Sequence, residues 1–92
     1  MSGDIKPVQK IQEGIIVLKD DKGRTVIRRA HSFILLKSFE TEIWEMCDGS
    51  TPIDEMALFV SRKYGVELDM ARNEIFQFLK KLKEKGLIDW ED

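Results

Sequence analysis

His31 is the single imidazole and Cys47 the single thiol of this 92-residue chain. Any nucleophile-and-base site would have to run through one or both of them, with a third group to orient the base. His31 falls in a short Ala30-His31 turn between two strand-like runs. No spacing sets an acid or a nucleophile beside it, and a surface turn residue is the plainer account. Cys47 precedes Asp48-Gly49 at the end of a helical pattern. A helix C-terminus disfavours the thiolate, so buried packing as a small apolar residue explains it better. Glu40, Glu42 and Glu45 resemble an acid–base group, but they fit a solvated helix face. One cysteine and one histidine cannot build a Cys/His zinc cage, and no glycine-rich phosphate loop is present. The expectation is a chain with no catalytic residue, no metal site and no cofactor.

The pattern that does suggest chemistry is non-covalent. In the lysine-rich stretch after Asp69, Ala71, Ile75, Phe78, Leu79 and Leu82 share one face at 100° per residue and form the core stripe. Phe76 lies well to one side, with Arg72 and Lys83 on its side and Lys80 adjacent. A ring flanked by cations can wall a groove for an acidic or amphipathic peptide. The competing account has Phe76 covering a core edge while Lys80, Lys81, Lys83 and Lys85 complement the negative end of a helix dipole.

These residues need elements to hold them. Residues 1–12 carry Gly3, Pro7 and few apolar side chains, and read as a loose arm, or one that joins the sheet near its end, before a domain over 13–92. The β-branched run Ile15-Ile16-Val17-Leu18 predicts a strand over 13–19. Asp20 to Gly23 supplies a turn, residues 24–29 a second strand, Ala30-His31 a second turn and residues 32–37 a third strand. The period then becomes helical. Ser38 is the expected cap of a first helix ending at Asp48-Gly49. Thr51 is the expected cap of a second, with Pro52 at its first position and Gly65 as its stop. Asp69 is the expected cap of a third that runs to about Lys85 and stops at Gly86. Leu87 to Trp90 should pack back onto the domain. The expected class is α+β, a three-stranded antiparallel meander followed by three helices. Its third strand is an unusually apolar edge, open to another chain.

Composition narrows the function classes. Fifteen Lys and Arg against 17 Asp and Glu give a net charge of -2. That argues against a strongly basic nucleic-acid binder, since such affinity rests on phosphate neutralisation. A winged-helix DNA-binding protein remains the alternative, motivated by the lysine-rich third helix, although here the strands precede the helices rather than follow the recognition helix. A docked structural subunit of a larger enzyme is a third possibility. The longest apolar run, Phe33 to Leu36, is far below a membrane span, and the opening Met1-Ser2-Gly3-Asp4 has no basic-then-apolar signal. The expected location is cytoplasmic.

From Gly14 onward the chain resembles the family of pyrroloquinoline quinone biosynthesis protein D. The strings that carry the likeness are Phe33-Ile34-Leu35-Leu36-Lys37, Thr41 to Gly49 with its Ile43-Trp44 and Cys47-Asp48-Gly49, Ser50 to Ala57, Tyr64, and Phe78 to Ile88. Lys37 departs from the asparagine frequent in the family. The resemblance implies a small winged-helix-like, non-catalytic domain that recognises the leader of a ribosomally made precursor peptide. The leader would add as a strand to the third strand, rest on the third helix, and be presented to a modifying enzyme, often a radical S-adenosylmethionine protein. Carried onto this chain, the backbone of Phe33, Ile34, Leu35, Leu36 and Lys37 would pair with the peptide. Arg72, Phe76, Leu79, Lys80 and Lys83 would wall it.

Overall fold

The computed structural model describes residues 2–91. A 3-10 turn, Ser2–Asp4, leads to β1 (Val8–Gln9), β2 (Ile15–Lys19), β3 (Thr25–Arg29) and β4 (Ser32–Leu35). Helices α1 (Ser38–Glu45), α2 (Ile53–Tyr64) and α3 (Leu68–Glu84) follow, and β5 (Ile88–Asp89) ends the series. The β2-β3-β4 meander and three helices are the α+β arrangement expected from the sequence.

Pairing sets the faces of the sheet. Ile15 opposes Arg29, Val17 opposes Ile27, and Ile27 in turn opposes Ile34. Alternation then turns Ile15, Thr25, Ile27, Ile34 and Leu36 to the helices, and Ile16, Leu18, Val26, Arg28, Phe33 and Leu35 to the outside. Ile15, Ile27 and Leu36 are buried against a helical core of Ile43, Trp44, Ile53, Met56, Ile75, Leu79 and Leu82. The stripe Ala71, Ile75, Phe78, Leu79, Leu82 is buried as the periodicity predicts.

The helix starts differ from expectation for local reasons. Lys37, not Ser38, caps α1, because the Glu40 carboxylate turns back to accept the Lys37 N–H at 2.9 Å. Pro52, not Thr51, precedes α2; the Thr51 hydroxyl and N–H are both taken by the Asp48 carboxylate. Glu67, not Asp69, caps α3, and Asp69 instead accepts from Arg72. Gly65 ends α2 in the left-handed conformation, φ +68°, as expected of a glycine stop.

The first residues join a sheet, the two-stranded β1–β5 pair rather than the meander. Pro7 is fully buried and β1 pairs with β5. The Gln9 N–H reaches the Cys47 carbonyl at 3.0 Å, the Lys10 N–H reaches Leu87 at 2.8 Å, and Ile5 and Pro7 accept from Ile53 and Gly49. The reason is the apolar tail: Leu87 and Ile88 are buried as expected, and they offer a short edge that the N-terminal segment closes.

Candidate functional site

β4 pairs with β3 on one side, and among the described residues no strand lies on its other side. The ladder ends with the Leu36 N–H donating to the Thr25 carbonyl at 2.8 Å. By antiparallel alternation the backbone groups of Ile34 and Ser32 also turn toward β3, while those of Phe33 and Leu35 turn outward. Two outward residues thus offer N–H donors and C=O acceptors in strand geometry. Leu36 and Lys37 do not extend that edge. The Leu36 side chain is buried, the Lys37 N–H is held by Glu40, and its carbonyl accepts from Thr41. The Thr41 hydroxyl fixes this end of the strand, accepting the Thr25 N–H at 2.9 Å and donating to the Leu36 carbonyl at 3.3 Å.

The inward side of the edge opens on a hollow of about 250 Å³ lined by Arg29, Ile34, Lys85 and Leu87. One turn back along α3, Lys81 and Phe78 line a second hollow with Phe39 and Glu40 of α1 and Glu74 and Gln77 of α3. Glu74, Phe78 and Lys81 of α3, with Lys85 just past its end, thus share one flank, which meets α1 at Phe39 and β4 at Lys85. Arg29, Lys81 and Lys85 enter no ion pair among the described residues.

The helix residues assigned from the sequence lie elsewhere. Arg72, Phe76 and Lys83 do share a flank, as the helical wheel says, but it is the flank away from β4. The Arg72 guanidinium donates to Asp54 of α2 and to Asp69, both at 2.8 Å, and Asp54 is the main cause of its raised pKa. The Phe76 ring sits 6.3 Å from Trp90, and the Lys83 ammonium lies 4.1 Å over the same indole and 4.0 Å from Asp89. Leu79 is 0% exposed and belongs to the core, while Lys80 points to solvent. The structure so brings together Phe33, Ile34 and Leu35 from the assigned set, with Arg29, Phe78, Lys81 and Lys85 as the neighbours that sequence reasoning missed. The wheel is symmetric about its apolar stripe. Nothing in a single helix says which flank will meet β4, and the last lysines already had an explanation in the dipole.

The two candidates for covalent chemistry lie apart, one buried and one exposed. Cys47 is buried, its Sγ–H donates to the Ile43 carbonyl at 3.3 Å, and burial, helped by the neighbouring Asp48 charge, pushes the thiol up to about 12. His31 is exposed in the β3–β4 turn, and no cluster of metal-ligating side chains occurs among the described residues. No helix among the described residues is long and apolar enough to cross a membrane.

Comparison with known proteins bears on the fold and the family. No curated protein matches the chain. Among solved structures it is similar to the PqqD truncation of Methylobacterium extorquens PqqCD, determined by solution NMR. The TM-score is 0.73 at 16% identity, over 97% of this chain and 93% of that one. That truncation represents a functional, stand-alone recognition element for ribosomally synthesized and post-translationally modified peptides (RiPPs), and at this identity the likeness is one of fold. The family model for coenzyme PQQ synthesis protein D matches residues 21–88, which run from the β2–β3 turn to the start of β5 and carry the β4 edge together with all three helices. The chain belongs to the PqqD family.

Proposed function

We propose that this chain is a RiPP recognition domain without catalysis of its own. It binds the leader of a precursor peptide by strand addition to β4 and presents it to a modifying enzyme of the radical S-adenosylmethionine type. The observation that carries the reading is the unpaired β4 edge lying beside the cationic flank of α3. Main-chain pairing at Phe33 and Leu35 supplies affinity with little sequence demand, and alternate side chains of the added strand supply specificity. One set of those side chains enters the trough between β4 and α3. The other extends the outer rows Ile16–Arg28–Phe33 and Leu18–Val26–Leu35, which places leader and domain on one surface for the enzyme to read. Both the family and the fold of the M. extorquens recognition element support this reading. Duplex binding has less support, because Arg72 and Lys83 of α3 are engaged by acidic side chains of the chain itself.

Phe33→Pro tests the reading. It removes one outward N–H from an edge strand, a place where proline is tolerated. Calorimetry with a synthetic leader peptide that the parent chain binds should show affinity falling tenfold or more. Phe33→Ala, which keeps the N–H, should lose less. Equal affinity for Phe33→Pro and the parent, with unchanged melting, would remove strand addition.

A further inference from the structure

The trough beside α3 does not stop at the end of β4. Past Phe39 and Glu74, which line the second hollow, a third hollow of about 350 Å³ opens at the start of α3. Its walls are Phe39 of α1, Val60 and Tyr64 of α2, Val66 of the following loop, and Met70 of α3. Met70 is 59% exposed and Tyr64 41%, so apolar surface is open to solvent at the far end of the same flank that faces β4. Resting on the leader-binding reading, the geometry points to a second subsite here, an anchor pocket for one bulky apolar side chain of the same bound peptide.

Charge pattern and distance define the occupant. Arg29 and Lys85 enter no ion pair among the described residues at the β4 end, and they call for carboxylates. Glu40 and Glu74 outnumber Lys81 in the middle, which calls for neutral or basic residues. The walls at the far end call for Leu, Ile, Met or Phe. From Lys85 to Met70 the helix axis advances about 22 Å at 1.5 Å per residue. An extended peptide covers that in about six or seven residues. The ligand class is therefore an extended peptide with acidic residues in its strand-forming part and a bulky apolar residue six or seven positions away. The described ends of the chain lie on the opposite flank, where β1, β5 and Trp90 sit, so they do not supply this occupant.

The test is selection from a display library of random fifteen-residue peptides on the parent chain, on Met70→Glu and on Phe33→Pro, with melting checked for each. Peptides selected on the parent should carry the acidic segment and the distant apolar residue. Binding of the best peptide to Met70→Glu should fall about tenfold. Alanine at the peptide's apolar position should cost the same, with no further loss when the two changes are combined. Equal binding to Met70→Glu and the parent, together with a loss on Phe33→Pro, overturns the anchor and leaves the strand seat standing. Indifference to Phe33→Pro, or no selected peptide, brings down the leader reading and the anchor with it. A dimer in sedimentation that Met70→Glu dissociates assigns the hollow to a second copy and overturns the proposal.

Discussion

Thr25 and Thr41 meet at the same stretch of backbone with opposite outcomes. The Thr41 hydroxyl accepts one hydrogen bond and donates another, closing the corner where β3, β4 and α1 join. The Thr25 hydroxyl is buried and has no partner among the described residues. An unpartnered buried hydroxyl costs about 1–3 kcal/mol, and so does the loss of a partner from a buried N–H. Thr25→Val should accordingly raise stability by about 1 kcal/mol, because shape is kept and the orphan is removed. Thr41→Val should lower it by about 1–3 kcal/mol, since the Thr25 N–H then loses its acceptor. Urea denaturation of the two variants checks the pair, and shifts of the same sign would refute the assignment of the two hydroxyls. The Thr41 change should also weaken peptide binding, because the Leu36 carbonyl marks the end of the β4 seat.

At the scale of elements, the three meander strands are legible because β-branched runs and turn residues agree, and the helices because the apolar period changes at Ser38; β1 and β5, two residues each, are too short to carry a pattern. Where the helices start is less legible. Ser38, Thr51 and Asp69 are all good caps by type, yet Glu40 reaching back, the Asp48 carboxylate and the Arg72 guanidinium each redirect one of these junctions. The half of the candidate site on β4 is legible from its apolar edge. The half on α3 is not, since Phe76 and Phe78 lie two residues apart on opposite flanks and only packing chooses between them. One element carries visible strain. The two-residue loop between β3 and β4 places Ala30 at φ +52°, the only non-glycine described residue with positive φ. Glycine is favoured at such a hairpin position, and a left-handed alanine costs about 1–2 kcal/mol. Ala30→Gly should stabilise the chain by about 1 kcal/mol in thermal or urea unfolding, without altering the β4 register. A destabilised variant would mean that the turn gains its shape from something other than this backbone angle.

Over the whole molecule, two separate β-structures divide the labour. The β2-β3-β4 meander keeps an open edge, while the β1–β5 pair closes the opposite side of α3 and leaves little unpaired. β1 lies before the residues that the family model matches, and it closes the edge of β5. That closure is substantial: Pro7 is fully buried, and the backbone bonds involving Ile5, Pro7, Gln9 and Lys10 run to α2, the α1–α2 loop and Leu87. Deleting residues 1–10 removes these four hydrogen bonds, each contributing about 0.5–1.5 kcal/mol, so stability should drop by about 2–6 kcal/mol. Amide exchange should accelerate first at Leu87 and Ile88, whose cover is gone. Leader affinity, measured below the lowered melting point, should stay within about twofold of the parent, because Phe33, Leu35, Lys81 and Lys85 lie on the other flank of α3. Loss of binding in a truncated chain that still melts cooperatively would show that the two sides of α3 are coupled, and that the N-terminal segment takes part in recognition as well as in folding.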